Sequence, residues 1–162
     1  MIVLDLSMVQ TLLGEESLSL QLRHISSYLI WYFKANNCEE LLHEVILLVG
    51  YFTVLNSDNQ LKIELGTPPT ILQQLCNLSF NYFSDRRLIS VLFPTLICCC
   101  YNNEKNKSVL TNELSPDMLV NFIQETCDKK DDKKEVLFLE EKFDFERRFP
   151  SKLWQSAINY FA

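Results

Sequence analysis

Glycine, proline and histidine are scarce in this chain of 162 residues, which contains three, five and two of them. A β-sandwich or β-barrel needs many tight turns, and tight turns draw heavily on glycine and proline. The shortage of both residues argues against a β-rich fold and favours helices, for which the many leucines are well suited. With His24 and His43 alone, the chain also has little material for histidine-based catalysis.

Long hydrophobic runs are missing as well. The longest apolar stretches, residues 45–55 and 88–101, are shorter than the roughly 20 residues that cross a bilayer, and Pro94 interrupts the second. The N-terminus lacks the basic region of a signal peptide. Because 48% of the residues are apolar, we predict one folded domain with buried core helices and no membrane insertion. Gly50, inside one of these stretches, predicts the close approach of another helix.

An excess of basic residues is absent, since the net charge is −6. Attraction of the whole chain to nucleic acid is therefore not expected. Basic residues do cluster locally, and Arg86 and Lys133 lie 47 positions apart. We define Arg86, Arg87, Lys133 and Lys134 as the basic ridge. Two interpretations stay open: contact with ribosomal RNA or an acidic protein, or solvated charges that are partly paired with nearby acids.

The six cysteines do not indicate a disulfide framework or a metal site. Cys98, Cys99 and Cys100 are consecutive, and neighbouring side chains of a helix point about 100° apart. They lack the C-x-x-C spacing of zinc sites, and no glycine-rich phosphate-binding motif occurs in the chain. No electropositive context marks a reactive thiol. We predict buried, reduced thiols, no metal, no cofactor and no enzyme activity.

A repeat of 47 residues runs through the middle of the chain, where residues 41–76 align with 88–123. Asn56 then falls on Asn103, and Leu72 falls on Leu119 as an equivalent buried position. A period of about 40–47 residues is typical of HEAT and armadillo repeats. We therefore predict an all-α, right-handed helical superhelix of nine or ten helices.

The repeat also divides the predicted domain. Residues 1–162 are expected to form a single helical-repeat domain, with N-terminal cap helices at 1–37, repeat one at 38–83 and repeat two at 84–127. Residues 128–162 would supply a charged segment and a C-terminal cap, because a solenoid must cover its last apolar face. Within repeat one, Thr67 is the expected N-cap of the helix that contains Leu72.

The first unit resembles the armadillo repeat. The matching residues are Asn56-Ser-Asp-Asn59-Gln60, Ile63, Glu64, Gly66, Pro69, Ile71-Leu72 and Leu75. This resemblance implies stacked three-helix units whose third helices line a concave groove. Polar amides recur on those helices and would hydrogen-bond an extended peptide, with simple solvation as the alternative. These groove residues are Gln73, Gln74, Asn77, Asn121 and Gln124.

More narrowly, the chain resembles the C-terminal region of the S-phase cyclin A-associated proteins of the endoplasmic reticulum. The matching segments are HEV (43–45), GYFT (50–53), DNQ (58–60), YFSD (82–85), LFP (92–94), YNN (101–103) and RFP (148–150). The resemblance implies a cytoplasmic adaptor domain, at the cytosolic face of the endoplasmic reticulum. Its expected partner is a ribosome-associated mRNA-decay complex or a cell-cycle protein such as cyclin A.

The function predicted from the sequence is therefore protein binding by a monomeric, non-catalytic scaffold. Two alternatives stay open. One is direct RNA or ribosome contact through the basic ridge, and the other is a structural spacer or dimerisation module.

Overall fold

In the computed structural model, which describes residues 5–131 and 140–162, every regular element is a helix. The prediction of an all-α fold is confirmed, whereas the right-handed superhelix stays a prediction. The described residues contain eleven α-helices and two 3-10 turns, Glu141–Phe143 and Ser151–Leu153. The α-helices are α1 Leu6–Leu13, α2 Glu16–Ala35, α3 Glu39–Thr53, α4 Ser57–Lys62, α5 Ile71–Cys76, α6 Asn81–Ser84, α7 Arg86–Cys100, α8 Glu104–Glu113, α9 Asp117–Asp131, α10 Phe145–Arg148 and α11 Trp154–Phe161.

The expected number of helices, nine or ten, is slightly too low because α6 and α10 are single turns of four residues each. Such short turns leave no periodic apolar pattern in a sequence. Along the described ranges, none of the helices combines the length and the apolar character that crossing a membrane would take.

Side-chain caps explain where the repeated helices begin. The Asn56 Oδ1 accepts a hydrogen bond from the Asn59 N–H at 3.0 Å, and Asn103 does the same for Asn106 at 3.0 Å. Each cap satisfies one of the unpaired N–H groups at a helix start. The N-cap of α5 is not Thr67, as the sequence predicted, but Thr70.

Thr70 is the cap because it makes a reciprocal pair with Gln73. The Gln73 N–H donates to the Thr70 hydroxyl, and the Thr70 N–H donates to the Gln73 Oε1 at 2.9 Å. This capping box needs a residue with an amide or carboxylate at the third helical position. The residue three positions after Thr67 is Thr70, which has neither an amide nor a carboxylate and cannot complete the box.

The centre of the molecule is the packing of α3 against α7. A Cβ atom on Gly50 would stand 2.8 Å from the Thr95 hydroxyl oxygen, so only glycine admits α7 this close. That hydroxyl donates to the Ile46 carbonyl at 2.8 Å and ties the two helices together. The predicted close approach at Gly50 is confirmed.

Pro94 interrupts the hydrogen bonds inside α7. Because proline has no N–H, the carbonyl of Ser90, four residues earlier, has no partner within the helix. The buried Arg148 side chain replaces it, donating from Nη1 to the Ser90 oxygen at 2.9 Å and from Nη2 to the Val91 oxygen at 2.8 Å. Burial lowers the pKa of Arg148 to about 10, so the guanidinium stays charged at neutral pH.

Long polar side chains repeat one contact three times along the chain. Gln10 in α1 donates to two carbonyls at the end of α3, at 2.8 and 2.9 Å. Gln60 in α4 donates to two carbonyls at the end of α7, at 2.8 and 3.0 Å. Lys107, 47 positions after Gln60, donates to the Tyr160 carbonyl at the end of α11. In each case a side chain of an earlier helix bonds to at least one carbonyl at the C-terminal end of a later one. By this criterion α3, α7 and α11 are equivalent helices of the repeat.

Buried asparagines join each of these groups to the next. Asn59 Nδ2 donates to the Phe52 and Gln10 carbonyls at 3.0 and 3.1 Å. Asn106 Nδ2 makes the equivalent bonds to the Cys99 and Gln60 carbonyls at 2.9 and 2.8 Å. The sequence repeat therefore has a physical basis in buried backbone groups that must be satisfied.

These contacts group the helices as α1–α3, α4–α7 and α8–α11. The prediction divided the same repeat at residues 38, 84 and 128 and treated α1 and α2 as caps; those boundaries stay a prediction. Leu72 and Leu119 are buried to 0% and 2% exposure, so the predicted burial of both residues is confirmed. One group differs, because α11 has 8 residues where α3 and α7 have 15.

Candidate functional site

The cysteines are packing residues. All six are free thiols, and Cys98, Cys99 and Cys100 lie inside α7 with no more than 1% exposure. Burial raises the pKa of the Cys76 and Cys98 thiols to about 12 and raises those of Cys99 and Cys100 as well. A thiol attacks as its thiolate, and these thiols remain protonated at neutral pH. Within the described ranges, no three metal-ligating side chains come together.

His43 is a buried structural side chain. Its Nε2 lies 2.9 Å from the Tyr82 hydroxyl, and its ring meets the edge of Phe143 with centroids 5.8 Å apart. Burial lowers the pKa of His43 below its ordinary value. The neutral ring joins α3 to α6.

Three of the five predicted groove residues are engaged within the fold. Gln73 completes the capping box of α5. Gln74 Nε2 donates to the Ser27 hydroxyl of α2 at 2.7 Å, and Asn77 Nδ2 donates to the Glu113 carboxylate of α8 at 3.1 Å. Their amides connect α5 to its neighbours.

The other two groove residues, Asn121 and Gln124, are exposed on α9. In the part of the chain that the structure describes, neither side chain makes a hydrogen bond. Asn121 lines a large open cavity, and Gln124 does not. That all five amides bind one peptide stays a prediction, and the structure brings only Asn121 to the cavity.

The basic ridge is described only in its first half, since Lys133 and Lys134 lie outside the described residues. Arg87 Nη2 lies 2.7 Å from the Glu39 Oε1, which pairs the starts of α7 and α3. Arg86 is exposed, and it makes no ion pair with any described residue. Arg86 also lines the cavity that Asn121 lines.

This cavity, which we name the α7–α9 groove, has a volume of about 410 Å³ and opens to solvent. That volume falls within the range of about 300–1,000 Å³ found for ligand clefts. Its walls are mostly apolar and come from α6, α7, α9 and the turn before α10. The main apolar residues are Phe83, Ile89, Phe93, Met118, Phe122 and Phe145.

Aromatic packing supports these walls. Phe122 contacts Phe93 and Phe145, with ring centroids 5.7 and 5.2 Å apart. Phe145 in turn stacks on Trp154 with centroids 4.8 Å apart. Aromatic pairs at such distances contribute about 0.5–1.5 kcal/mol each beyond burial. The groove is therefore a preformed feature of the fold.

Charged side chains surround the groove, and the two acids are engaged. Glu125 lies 4.0 Å from the Lys129 ammonium one turn later. The Asp144 carboxylate accepts the Glu146 N–H at 3.3 Å and caps α10. Arg86 and Asn121 thus remain the polar groups at the rim without a partner among the described residues.

The sequence did not predict the α7–α9 groove. On α9 the lining residues follow helical spacing, at 118, 121, 122, 125, 126 and 129. That spacing can indicate a second binding face of α9, because it continues past the buried part of the helix. The local pattern alone does not distinguish a groove residue such as Phe122 from a core residue, since nothing in it shows where α11 begins.

No protein-family model matches the chain. The chain is similar to the human (Homo sapiens) protein named S phase cyclin A-associated protein in the endoplasmic reticulum, with 43% identity over 166 aligned residues. The alignment covers 98% of this chain and 12% of that protein, so the chain spans about an eighth of the length of the relative it matches. The predicted resemblance is confirmed as a similarity to a region of that larger protein.

Proposed function

We propose that the chain is a protein-interaction domain of the scaffold or adaptor kind that carries out no catalysis. The observation that carries this proposal is the α7–α9 groove, an open apolar cleft of about 410 Å³ with Arg86 and Asn121 at its rim, both without a side-chain partner among the described residues. An apolar cleft with a few free polar groups is the usual form of a binding site. The buried, protonated thiols and the hydrogen-bonded His43 are consistent with binding rather than chemistry.

The first candidate partner is cyclin A, at the cytosolic face of the endoplasmic reticulum. The relative carries both in its name, and this chain matches one region of that protein at 43% identity. A ribosome-associated mRNA-decay complex is the second candidate partner, and it rests on the sequence resemblance alone.

Direct binding of the purified domain to purified cyclin A tests this function. We expect saturable binding in biolayer interferometry and retention in size-exclusion chromatography as a complex. Sedimentation with purified ribosomes tests the second partner in the same buffer. If the folded domain binds neither cyclin A nor ribosomes, the proposed partners are wrong.

Direct RNA contact through the basic ridge is the alternative that Arg86 supports, because it is an exposed cation without an ion pair among the described residues. RNA binding would weaken steeply with salt, since phosphate contacts release counterions. Binding that changes little between low and high salt would favour a protein partner. A dimerisation role would show instead as a doubled mass in light scattering, whereas a spacer would stay monomeric and bind neither partner.

A further inference from the structure

The faces that correspond to the groove are sealed in the preceding group of helices. Ile89 and Phe93 in the α7 wall correspond to Leu42 and Ile46 of α3, 47 positions earlier. Leu42 and Ile46 are buried, at 4% and 0% exposure, and Phe93 is buried at 3%, whereas Ile89 is only half-buried. α7 packs there, against α3, α5 and α6. In this fold, the helix of the next group covers such a face.

The next group has only a shortened helix for this purpose. α11 corresponds to α7 by its contact with Lys107, but it begins at Trp154 and has 8 residues instead of 15. The first turns of a full-length helix are therefore not supplied by the described residues. Phe143, in the turn before α10, and Phe145, the first residue of α10, line part of this space.

We propose that the α7–α9 groove binds an amphipathic helix of a partner protein, with a carboxylate in the first turn of that helix paired to Arg86. This inference rests on the proposed function and specifies the partner's chemistry. The apolar side chains of the helix, spaced i, i+3, i+4 and i+7, insert between α7 and α9.

The charge of the partner follows from the repeat. Glu39 at the start of α3 pairs with Arg87 of the covering helix α7 at 2.7 Å. The residue 47 positions after Glu39 is Arg86, so the sign of the charge at this place is reversed. The matching group on the covering helix is then a carboxylate, which the positive end of a helix dipole also favours in the first turn.

The length of the partner helix follows from α9. The lining residues from Met118 to Lys129 extend over three turns, about 16 Å at 1.5 Å per residue. A bound helix of about ten residues covers this distance. An isolated peptide needs about 12–15 residues to be helical in water.

A pair of peptides tests the charge preference. The probe is an acetylated, fluorescein-labelled peptide of about 15 residues with leucines at i, i+3, i+4 and i+7 and glutamate in its first turn. Its matched control has lysine in place of that glutamate. We expect fluorescence anisotropy to show the glutamate peptide binding about fivefold more tightly, as one exposed ion pair allows.

Charge reversal in the protein makes this preference specific to Arg86. The Arg86→Glu variant should prefer the lysine peptide, whereas Arg87→Glu, outside the groove, should keep the wild-type preference. Equal affinity of both peptides for wild-type protein would overturn the inference, as would an unchanged preference in Arg86→Glu.

Filling the groove is the second test. Ser90 lines the groove, so Ser90→Trp should lower peptide affinity more than tenfold, while Gln124→Trp, on the same helix as Asn121 but outside the groove, should not. Circular dichroism melts are the check that both variants fold. In Trp31→Phe protein that carries neither of these tryptophan substitutions, Trp154 is the single tryptophan and stacks on the groove residue Phe145, so its emission reports occupancy.

The remaining outcomes separate this inference from the proposed function. Peptide affinity unaffected by Ser90→Trp would show that the groove is not the site. A concentration-dependent dimer that Ser90→Trp dissociates would identify a second copy as the occupant, and the inference would be wrong. If cyclin A binds wild-type and Ser90→Trp equally and the peptide does not bind in the groove, the proposed function stands and the groove inference fails. If the peptide binds in the groove and neither cyclin A nor ribosomes bind, the groove inference stands and the proposed partners are wrong.

Discussion

The two sides of α7 differ in how they are covered. On one side α7 packs against α3, where Thr95 bonds to the Ile46 carbonyl and Arg87 pairs with Glu39. On the other side α7 faces the α7–α9 groove, where Arg86 has no ion pair among the described residues. The same repeated sequence pattern thus forms a sealed interface between α3 and α7 and an open cleft between α7 and α9. Among the described residues, the difference lies in the length of the next helix and not in α7 itself.

The largest expected effect concerns the buried leucines that the two groups share. Leu72→Ala and Leu119→Ala should each lower the free energy of unfolding by about 3–5 kcal/mol, because each leaves a cavity in the core. Urea denaturation measures both. A loss below about 1 kcal/mol for either variant would contradict the structural equivalence of the two positions.

Arg148 should come next in size. Arg148→Met removes the donors to the Ser90 and Val91 carbonyls and should cost about 3 kcal/mol, since buried polar groups would be left without partners. Arg147→Met is the matched control, because Arg147 is exposed and pairs with Glu141 at the surface. Its loss should stay within about 0.5 kcal/mol. Equal effects of the two substitutions in urea denaturation would contradict the role given to Arg148.

A third pair compares the sealed and the open face directly. Ile71 and Met118 are equivalent, but Ile71 is buried at 2% exposure and Met118 lines the groove. Ile71→Ala should cost about 2–4 kcal/mol, whereas Met118→Ala should cost less than about 1 kcal/mol because the groove is already open. Thermal unfolding at fixed protein concentration measures the difference. Similar costs would mean that the groove is closed in solution.

The smallest effect is the pH dependence from His43. Because burial lowers its pKa in the folded state, the unfolded chain binds more protons as the pH falls below the ordinary value of 6.5. Stability should therefore decrease as the pH falls from that value through the folded pKa. His43→Gln should remove this part of the pH dependence of stability, as measured by urea titrations. His24→Gln is the control, because His24 is at an exposed position of α2, and it should leave the pH dependence unchanged. Identical pH profiles for both variants would contradict a neutral buried His43.

The core could be predicted well from the sequence because the repeat shows itself in local residue patterns. Asn56, Asn103, Leu72 and Leu119 recur at 47 residues, and each has the contact or burial that its partner has. The structural role of Gln10 was not predicted, because its partners are carbonyls at the end of α3, about 40 residues away. Every residue has a backbone carbonyl, so the sequence does not show which carbonyls accept such a bond.

The binding surface was harder to predict. The amides of α5 and α9 look equivalent in sequence, yet Gln74 bonds to Ser27 of α2 while Asn121 faces the groove. Their difference depends on which helix lies beside each one. Beyond Cys127 the repeat ends, so no alignment could show that α11 begins late and that the described residues leave one face open.

The guanidinium that replaces the missing N–H of Pro94 has a consequence for any attempt to shorten this domain. Arg148 lies near the C-terminal end of the sequence, but its hydrogen bonds reach into the middle of α7. A fragment ending before α10 would leave the interrupted turn of the central helix without its donor. Trimming the last residues should therefore damage the interior first, and a minimal folded fragment must retain its C-terminal helices.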